Sequence, residues 1–482
     1  MEYKIFVGPK SLIISPGLVG LDKDRVSNTL KFRPNSYMFT KAYKLGSWDG
    51  YIKLYKRGQA PSGCFNKVAN ALKRFGHSVD IYFANNYVPH GDGKIFGLNL
   101  DEFQIEAAKK AIKYRYCVVK AAVRAGKTAI MARIISSIKH FPVLVITKSD
   151  KSLVKQIRNN LSKLLNRKVG IYSEGEADIR DIVVSHYQAI IPLFSSGTKN
   201  RIKRLETVKK HERMRKLVKD CKVLLLDECH HAFSTEFRNT LEKQFDSAGY
   251  RIGLSGTPCP KGITQIEFES VLGPIVYRIG FGELINSGRL SKSTIVIYDL
   301  PSKWFDHMLI DFNEIYESNI VRNSFRNGFV ADLVGKFNDD GKSVLVMVSK
   351  IHHGENLREL ISNSFFVRGK IDSKTREIVY RSLQDGKIGC VISTVGKEGL
   401  DLPKLDIVIN AEGFSSSVIT IQKMRSLTAH KDKKMAYVID FVDKGDYLYN
   451  ASIKRKKLYS KLDGIKMKNK RVPKDYIPGR LL

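Results

Sequence analysis

The spacing of hydrophobic positions changes along the chain. Within residues 1–85, alternation and one helical stripe are mixed. Tyr51-Ile52-Lys53-Leu54-Tyr55-Lys56 alternates, which predicts a strand with Ile52 and Leu54 on one face and Tyr51, Lys53 and Tyr55 on the other. Phe65, Val68, Ala69, Leu72 and Phe75 fall at helical spacing and predict a helix over about 63–75, with Ser62 as its cap. Residues 84–97 are rich in Gly, Asn and Pro and read as a linker. From 98 onward, short continuous apolar runs alternate with helical stretches. The runs at 117–120, 143–147, 182–185, 223–226 and 251–254 form one series. Those at 343–348, 390–394, 406–410 and 435–441 form a second. Continuous apolar strands separated by helices predict parallel sheets covered on both faces. The expected fold class is therefore α/β, with two tandem parallel-sheet domains behind a small α+β module. The expected divisions are 1–90, 98–285, 286–450 and a basic tail at 451–482.

Charge sharpens this picture. The 482 residues carry 82 Lys and Arg against 48 Asp and Glu, a net charge of +34. Such a surplus in an ordinary globular composition points to a polyanion, nucleic acid first. The excess is concentrated: 14 basic against 5 acidic residues in 1–90, 11 against 3 in 199–222, and 11 against 2 in the last 32. Hydrophobic residues make up 43%, which excludes a wholly disordered chain. No apolar run approaches the ~18 residues of a membrane span, and the N-terminus lacks the apolar stretch of a signal peptide. Six cysteines without C-x-x-C spacing exclude a disulfide framework and suit a reducing compartment, so the cytoplasm is the expected location.

Two stretches carry chemistry. Ala121-Ala122-Val123-Arg124-Ala125-Gly126-Lys127-Thr128 lies between a predicted strand and a helical stretch. It is a phosphate loop of the Walker A type with Ala121 in place of the first Gly. Gly126 permits close approach of backbone to phosphate, and N–H groups at a helix start bind anions. Lys127 is placed to reach the β- and γ-phosphates and Thr128 to hold Mg²⁺. Arg124, Ala125, Gly126, Lys127 and Thr128 are thus the candidate nucleotide contacts, with ATP and Mg²⁺ as cofactors. Asp227-Glu228-Cys229-His230 follows the apolar run at 223–226. Carboxylates at the C-terminal end of a parallel strand suit a metal ligand, Asp227, and a water-orienting group, Glu228. A zinc site at Cys229, His230 and His231 is the weaker alternative, because adjacent side chains seldom converge on one ion.

Together these residues resemble the superfamily 2 DExH helicases, and further stretches resemble that family's motifs in order. Phe103-Gln104 is similar to the adenine-reading glutamine motif. Thr147-Lys148 through Gln156 resembles motif Ia, Ser185-His186-Tyr187-Gln188 motif Ib, and Ser255-Gly256-Thr257-Pro258 motif III. Residues 344–350 resemble motif IV, and Ser393-Thr394 through Gly396, Gly399, Asp401 and Pro403 resembles motif V. The resemblance implies two RecA-like domains around an ATP cleft that hydrolysis closes and opens. It also implies nucleotide contacts from Gln104 and Asp401, and a nucleic-acid track including Lys148, Gln156, Ser185 and Thr394. Motif VI departs from the pattern: Ser426 and Ala429 stand where the family has arginines. Gln422 and Arg425 are the catalytic candidates there, with His430 and Lys431 as alternative cations.

The plan over about 450 residues is similar to the UvsW-type helicases of large phages, which anneal and branch-migrate DNA and rewind stalled forks. Gly46-Ser47-Trp48-Asp49-Gly50-Tyr51-Ile52-Lys53-Leu54 is similar to that family's N-terminal DNA-binding module, which makes Trp48 and Lys53 candidate contacts. Trp48 equally suits a small core. Tyr51 and Tyr55 suit either a packed face or a platform for bases. The resemblance implies an ATP-dependent DNA helicase or branch-migration translocase of phage replication, recombination and repair, monomeric on branched or single-stranded DNA. An RNA helicase of the DExH type and a nucleic-acid annealing protein with weak ATPase are the alternatives.

Overall fold

The computed structural model describes the chain except residues 86, 123, 149–150, 174, 195–204, 260–261, 395–401, 415–432, 434 and 480–482. It divides into two compact units, Met1–Ile279 and Gly280–Leu482.

In the first unit the apolar runs become the middle of an eight-stranded sheet among the described residues. Its order is Glu176–Asp178, Gly170–Ser173, Ile182–His186, Val143–Thr147, Val223–Asp227, Tyr250–Ser255, Tyr116–Ala121 and Ile275–Ile279. Every pairing is parallel except the short Glu176–Asp178 edge. The strands Val143–Thr147, Val223–Asp227 and Tyr250–Ser255 are buried at every position, as a sheet covered on both faces requires. Parallel pairing brings the C-terminal ends of these strands to one edge. Ile146 lies opposite Leu226, and Asp227 opposite Leu254. Thr147 and Ser255 therefore flank Asp227 on the neighbouring strands.

The N-terminal module belongs to this same unit. Its sheet runs Gln59–Pro61, Ser11–Ser15, Glu2–Val7, Ser78–Phe83, backed by the helix Phe65–Arg74. Phe65, Val68, Ala69 and Leu72 are buried along the expected stripe, and Phe75 is exposed. Ser62 caps nothing; its hydroxyl donates to the Gly8 carbonyl at 2.6 Å. The strand expected at 51–56 shrinks to Ile52–Lys53, paired with Lys31–Phe32. Its faces also differ from expectation, because Tyr55 is buried in the module's core while Ile52 is exposed. Tyr55 is thereby removed as a platform for bases.

The module is fused to the sheet domain. A Cβ on Gly63 would lie 2.1 Å from the Glu269 carbonyl oxygen, so backbone meets backbone there. Tyr116, on a strand of the large sheet, packs into the module's hydrophobic cluster. Buried Arg251 donates to Val271 O at 3.1 Å and to Pro9 O at 3.0 Å, tying a central strand to the module's first hairpin. The stretch expected as a linker, 84–97, is a strap: Gly91 N donates to Ser137 O, Phe96 N to Leu164 O, and the Tyr250 hydroxyl to Tyr87 O.

In the second unit, seven parallel strands among the described residues run Ser364–Val367, Cys390–Ser393, Val344–Met347, Ile407–Asn410, Ala436–Val442, Ser293–Asp299 and Lys466–Arg471. This corrects the expectation of a basic tail after 450. The helix Asp446–Tyr459 packs into the unit, and Lys466–Arg471 completes the sheet by pairing with Ser293–Asp299. Part of the basic surplus is also internal. Arg455, fully buried, donates to Asp440 and to the Gly413, Phe414 and Phe441 carbonyls. Arg326, equally buried, donates to Asp443 at 2.8 Å and to Ala411 O at 3.1 Å. Burial raises the Asp440 carboxyl, but Arg455 outweighs it and holds it below the ordinary range. These guanidinium groups fix the backbone that leaves the strand Ile407–Asn410. Among the described residues no helix is long and apolar enough to cross a membrane.

Removing one partner of a buried ion pair strands the other charge and costs about 3–5 kcal/mol. Asp440→Asn is expected to destabilise the second unit by that amount in chemical denaturation. Glu377→Gln, which breaks an exposed pair with Arg381, is expected to leave the midpoint in place.

Candidate active site

The phosphate loop turns through two left-handed residues, Arg124 and Gly126, both at φ 75°. Gly126 is the N-cap of the helix Lys127–Ile138. The first N–H groups of a helix have no intrahelical acceptor, so the turn presents donors and a partial positive charge to an anion. Behind it, Gln104 is fully buried. Its side-chain oxygen accepts from Asp101 N at 3.1 Å, and its amide donates to Ala125 O at 2.9 Å. The structure uses Gln104 to brace the loop.

Across the loop, Asp227 ends its strand and Glu228 takes a left-handed conformation at φ 49°. That turn aims both carboxylates at Lys127, an unfavourable backbone state of the kind active sites hold. The Lys127 ammonium bonds Glu228 Oε1 and stands 3.6 Å from Asp227 Oδ1. Burial works against charge on Lys127, yet Glu228 and Asp227 together hold it above the ordinary lysine range. Burial likewise raises Glu228, but Lys127, His230 and the Ser255 hydroxyl bring it down to about 2. Asp227 goes the other way: burial, reinforced by the Glu228 charge, raises it despite Lys127. Thr147 Oγ1 donates to Asp227 Oδ2 at 3.3 Å. Asp227 Oδ1 is buried with no hydrogen-bond donor. A buried carboxylate oxygen that accepts no hydrogen bond and faces the Lys127 ammonium has the chemistry of a hard-cation ligand.

Two functional contacts were not assigned from the sequence. The Ser255 hydroxyl donates to Glu228 Oε2 at 2.9 Å and accepts from Thr257 N at 3.1 Å. His230 Nδ1 lies 3.2 Å from the same hydroxyl, and burial, then His231, lowers the His230 imidazole to about 4. His230 stays neutral at pH 7. His231 leans on His230 at 4.3 Å between centroids and stacks on Tyr187 at 5.6 Å. A continuous path thus runs from Glu228 through Ser255 and the two imidazoles to the 185–188 segment. Strand adjacency was the available signal, since Ser255 ends the strand beside Asp227. The zinc alternative fails: Cys229 is buried against Gly253, and among the described residues no group of three metal-ligating side chains forms.

The expected nucleic-acid residues separate. Lys148 follows the strand Val143–Thr147 and is half-buried, and Gln156 is exposed on the helix Lys151–Leu164. Thr394 is half-buried just after Cys390–Ser393 in the second unit. Ser185 is corrected: it is fully buried and its hydroxyl donates to Tyr172 O at 2.6 Å, so it holds two strands together. Lys53 is exposed, and half-buried Trp48 donates to Tyr51 O at 2.9 Å. Asp401, Gln422 and Arg425, with the alternatives His430 and Lys431, lie outside the described residues.

Known proteins match both halves of the chain. Residues 97–259 match the family described as type III restriction enzyme, res subunit, and residues 327–427 match the helicase conserved C-terminal domain. The DNA 3'-5' translocase XPB2 of Sulfurisphaera tokodaii is 24% identical over 397 residues, covering 74% of this chain and 85% of that protein. The ATP-dependent DNA helicase uvsW of Enterobacteria phage T4 is 20% identical over 448 residues, covering 86% of this chain and 85% of that protein. Among solved structures, the Type ISP restriction-modification enzyme LlaBIII bound to DNA shares the fold. Its TM-score is 0.56 at 13% identity, over 82% of this chain and 34% of that one. Two helicase-family domains in order, with the phosphate loop and Asp227-Glu228 facing each other in the first, give one conclusion: the chain is a superfamily 2 helicase, an ATP-hydrolysing enzyme of nucleic acid, similar in plan to uvsW.

Proposed function

We propose that the chain is an ATP-dependent DNA helicase or translocase that acts as a monomer on branched DNA, driving branch migration and fork reversal. The observation that carries the hydrolytic part is Lys127 held between Asp227 and Glu228, with one buried Asp227 oxygen accepting no hydrogen bond. In this reading the loop N–H groups and Lys127 bind the β- and γ-phosphates of ATP. Thr128 and Asp227 hold Mg²⁺, which supplies charge neutralisation on the phosphate oxygens when bound. Glu228, released from Lys127, accepts a hydrogen bond from the attacking water. Ser255 fixes the other Glu228 oxygen and so sets the direction of that bond. Asp401, Gln422 and Arg425 are proposed as further nucleotide-binding and catalytic residues.

The choice of DNA is supported by the relatives, since XPB2 and uvsW are both named as enzymes of DNA. The branched substrate rests on the resemblance of the chain's plan and of its 46–54 stretch to the UvsW-type helicases. The +34 charge supports a polyanion of either kind. The deciding experiment measures ATPase activity with single-stranded DNA, duplex, branched DNA and RNA side by side. Strongest stimulation by branched DNA is expected; equal stimulation by RNA contradicts the DNA assignment.

Two substitutions test the chemistry. Glu228→Gln is expected to lower kcat by about 100-fold or more while ATP and DNA binding persist, the size of a lost water-directing carboxylate. Ser255→Ala is expected to cost about tenfold in kcat with ATP affinity retained, because it frees the carboxylate without removing it. Normal turnover in Glu228→Gln would remove it from the mechanism.

A further inference from the structure

Residues 31–54 form a lobe of the N-terminal module with its own construction. The ribbon Lys31–Phe32 and Ile52–Lys53 closes its base. Above it, Tyr37 and Tyr43 meet edge to face at 4.8 Å, and Arg33 lies over Tyr51 at 4.3 Å and Tyr37 at 5.0 Å. Lys31 covers Tyr51 at 4.8 Å, and Arg33 also donates to Asp49 O. Gly50 fits against the Tyr37 ring, where a Cβ would stand 2.7 Å away. Thr40 caps the turn of helix Lys41–Lys44. The lobe is thus held by half-buried aromatic rings with cations laid over them, and the apolar side chains of the tip are left outside. Phe39 is 79% exposed, Leu45 70% and Met38 55%.

An apolar tip of this kind on a water-facing lobe marks an interaction site. Its setting identifies the partner. Residues 31–58 hold seven Lys and Arg against one acidic residue, together with seven aromatic residues. Lys41, Lys44 and Lys53 are exposed around the tip. Lysine is depleted at protein–protein interfaces, whereas apolar side chains ringed by cations suit bases flanked by phosphates. The lobe also touches the segment that follows the site's sheet edge. Asn35 Nδ2 lies 3.7 Å from the Cβ position of Gly262, in the segment that follows Ser255–Pro258 at the sheet edge bearing Glu228.

We propose that Met38, Phe39 and Leu45 form a wedge that packs against splayed bases at a DNA branch, while Lys41, Lys44 and Lys53 take the adjoining phosphates. The inference rests on the proposed action on branched DNA and adds the element that distinguishes a branch from a single strand.

The test uses the full chain and a forked DNA with 2-aminopurine at the branch, beside single-stranded DNA of the same sequence. Phe39→Ala/Leu45→Ala is expected to lower the preference for fork over single strand about tenfold. It should also abolish the 2-aminopurine fluorescence increase and leave the slope of binding against salt unchanged. Lys41→Gln/Lys44→Gln is expected to make that slope shallower by about two, from ~0.9 per phosphate contact. Thermal midpoints of both variants should match the parent, since all four side chains are exposed. Unchanged fork preference and fluorescence in Phe39→Ala/Leu45→Ala overturn the wedge. So does a shift from dimer to monomer in that variant with fork binding intact, which would make the tip a self-association surface. A parent chain whose ATPase no DNA stimulates contradicts instead the function on which the wedge rests.

Discussion

The first unit is organised around one half-buried ammonium group. Lys127 stands where the helix Lys127–Ile138 meets the ends of two adjacent strands, and two carboxylates converge on it. Buried charges persist only when paired and hydrogen-bonded, so the surroundings are built to satisfy this cluster. Thr147 takes one Asp227 oxygen, Ser255 takes one Glu228 oxygen, and Gln104 steadies the loop through Ala125 O. Each of these polar groups ends or abuts an apolar strand or helix whose burial fixes its position. The remaining oxygen, Asp227 Oδ1, accepts no hydrogen bond and faces Lys127 at 3.6 Å. The cluster thus holds its own counter-charge in place of phosphate and metal, and ligands must take over those contacts one for one.

The basic surplus divides into two kinds of work. Arg251, Arg326 and Arg455 are internal struts, tying the N-terminal module to the sheet domain and fixing backbone in the second unit. The exposed cations of the N-terminal lobe are free for a polyanion. Fusion of the module to the sheet domain through Gly63 and Arg251 means that a contact made by the lobe is referred to the same rigid body that carries Glu228. A strap at 84–97, not a tether, connects them.

The middle of each sheet was legible because stretches such as Val223–Asp227 have no polar position until the strand ends, which only a doubly covered parallel strand permits. Edges were not. Lys466–Arg471 is five-sixths polar or charged by position and reads as a tail; it becomes a strand only through the partner Ser293–Asp299. Ser185 ends an apolar run, and nothing local tells whether its hydroxyl faces a neighbouring carbonyl or solvent. Tyr55 follows the alternation of its stretch, but the ribbon stops at Lys53 and the chain turns inward. Spacing located Lys127 and Asp227-Glu228; the link through Ser255 depended on strand order, which no local pattern contains.

The most direct test of the site's central claim is the affinity for ATP measured by calorimetry with and without Mg²⁺. Transfer of Lys127 to phosphate leaves Asp227 and Glu228 uncompensated unless a cation replaces it. The account therefore predicts that Mg²⁺ tightens ATP binding at least tenfold, and that Asp227→Asn removes this coupling. Equal affinity with and without Mg²⁺ in the parent chain would contradict it.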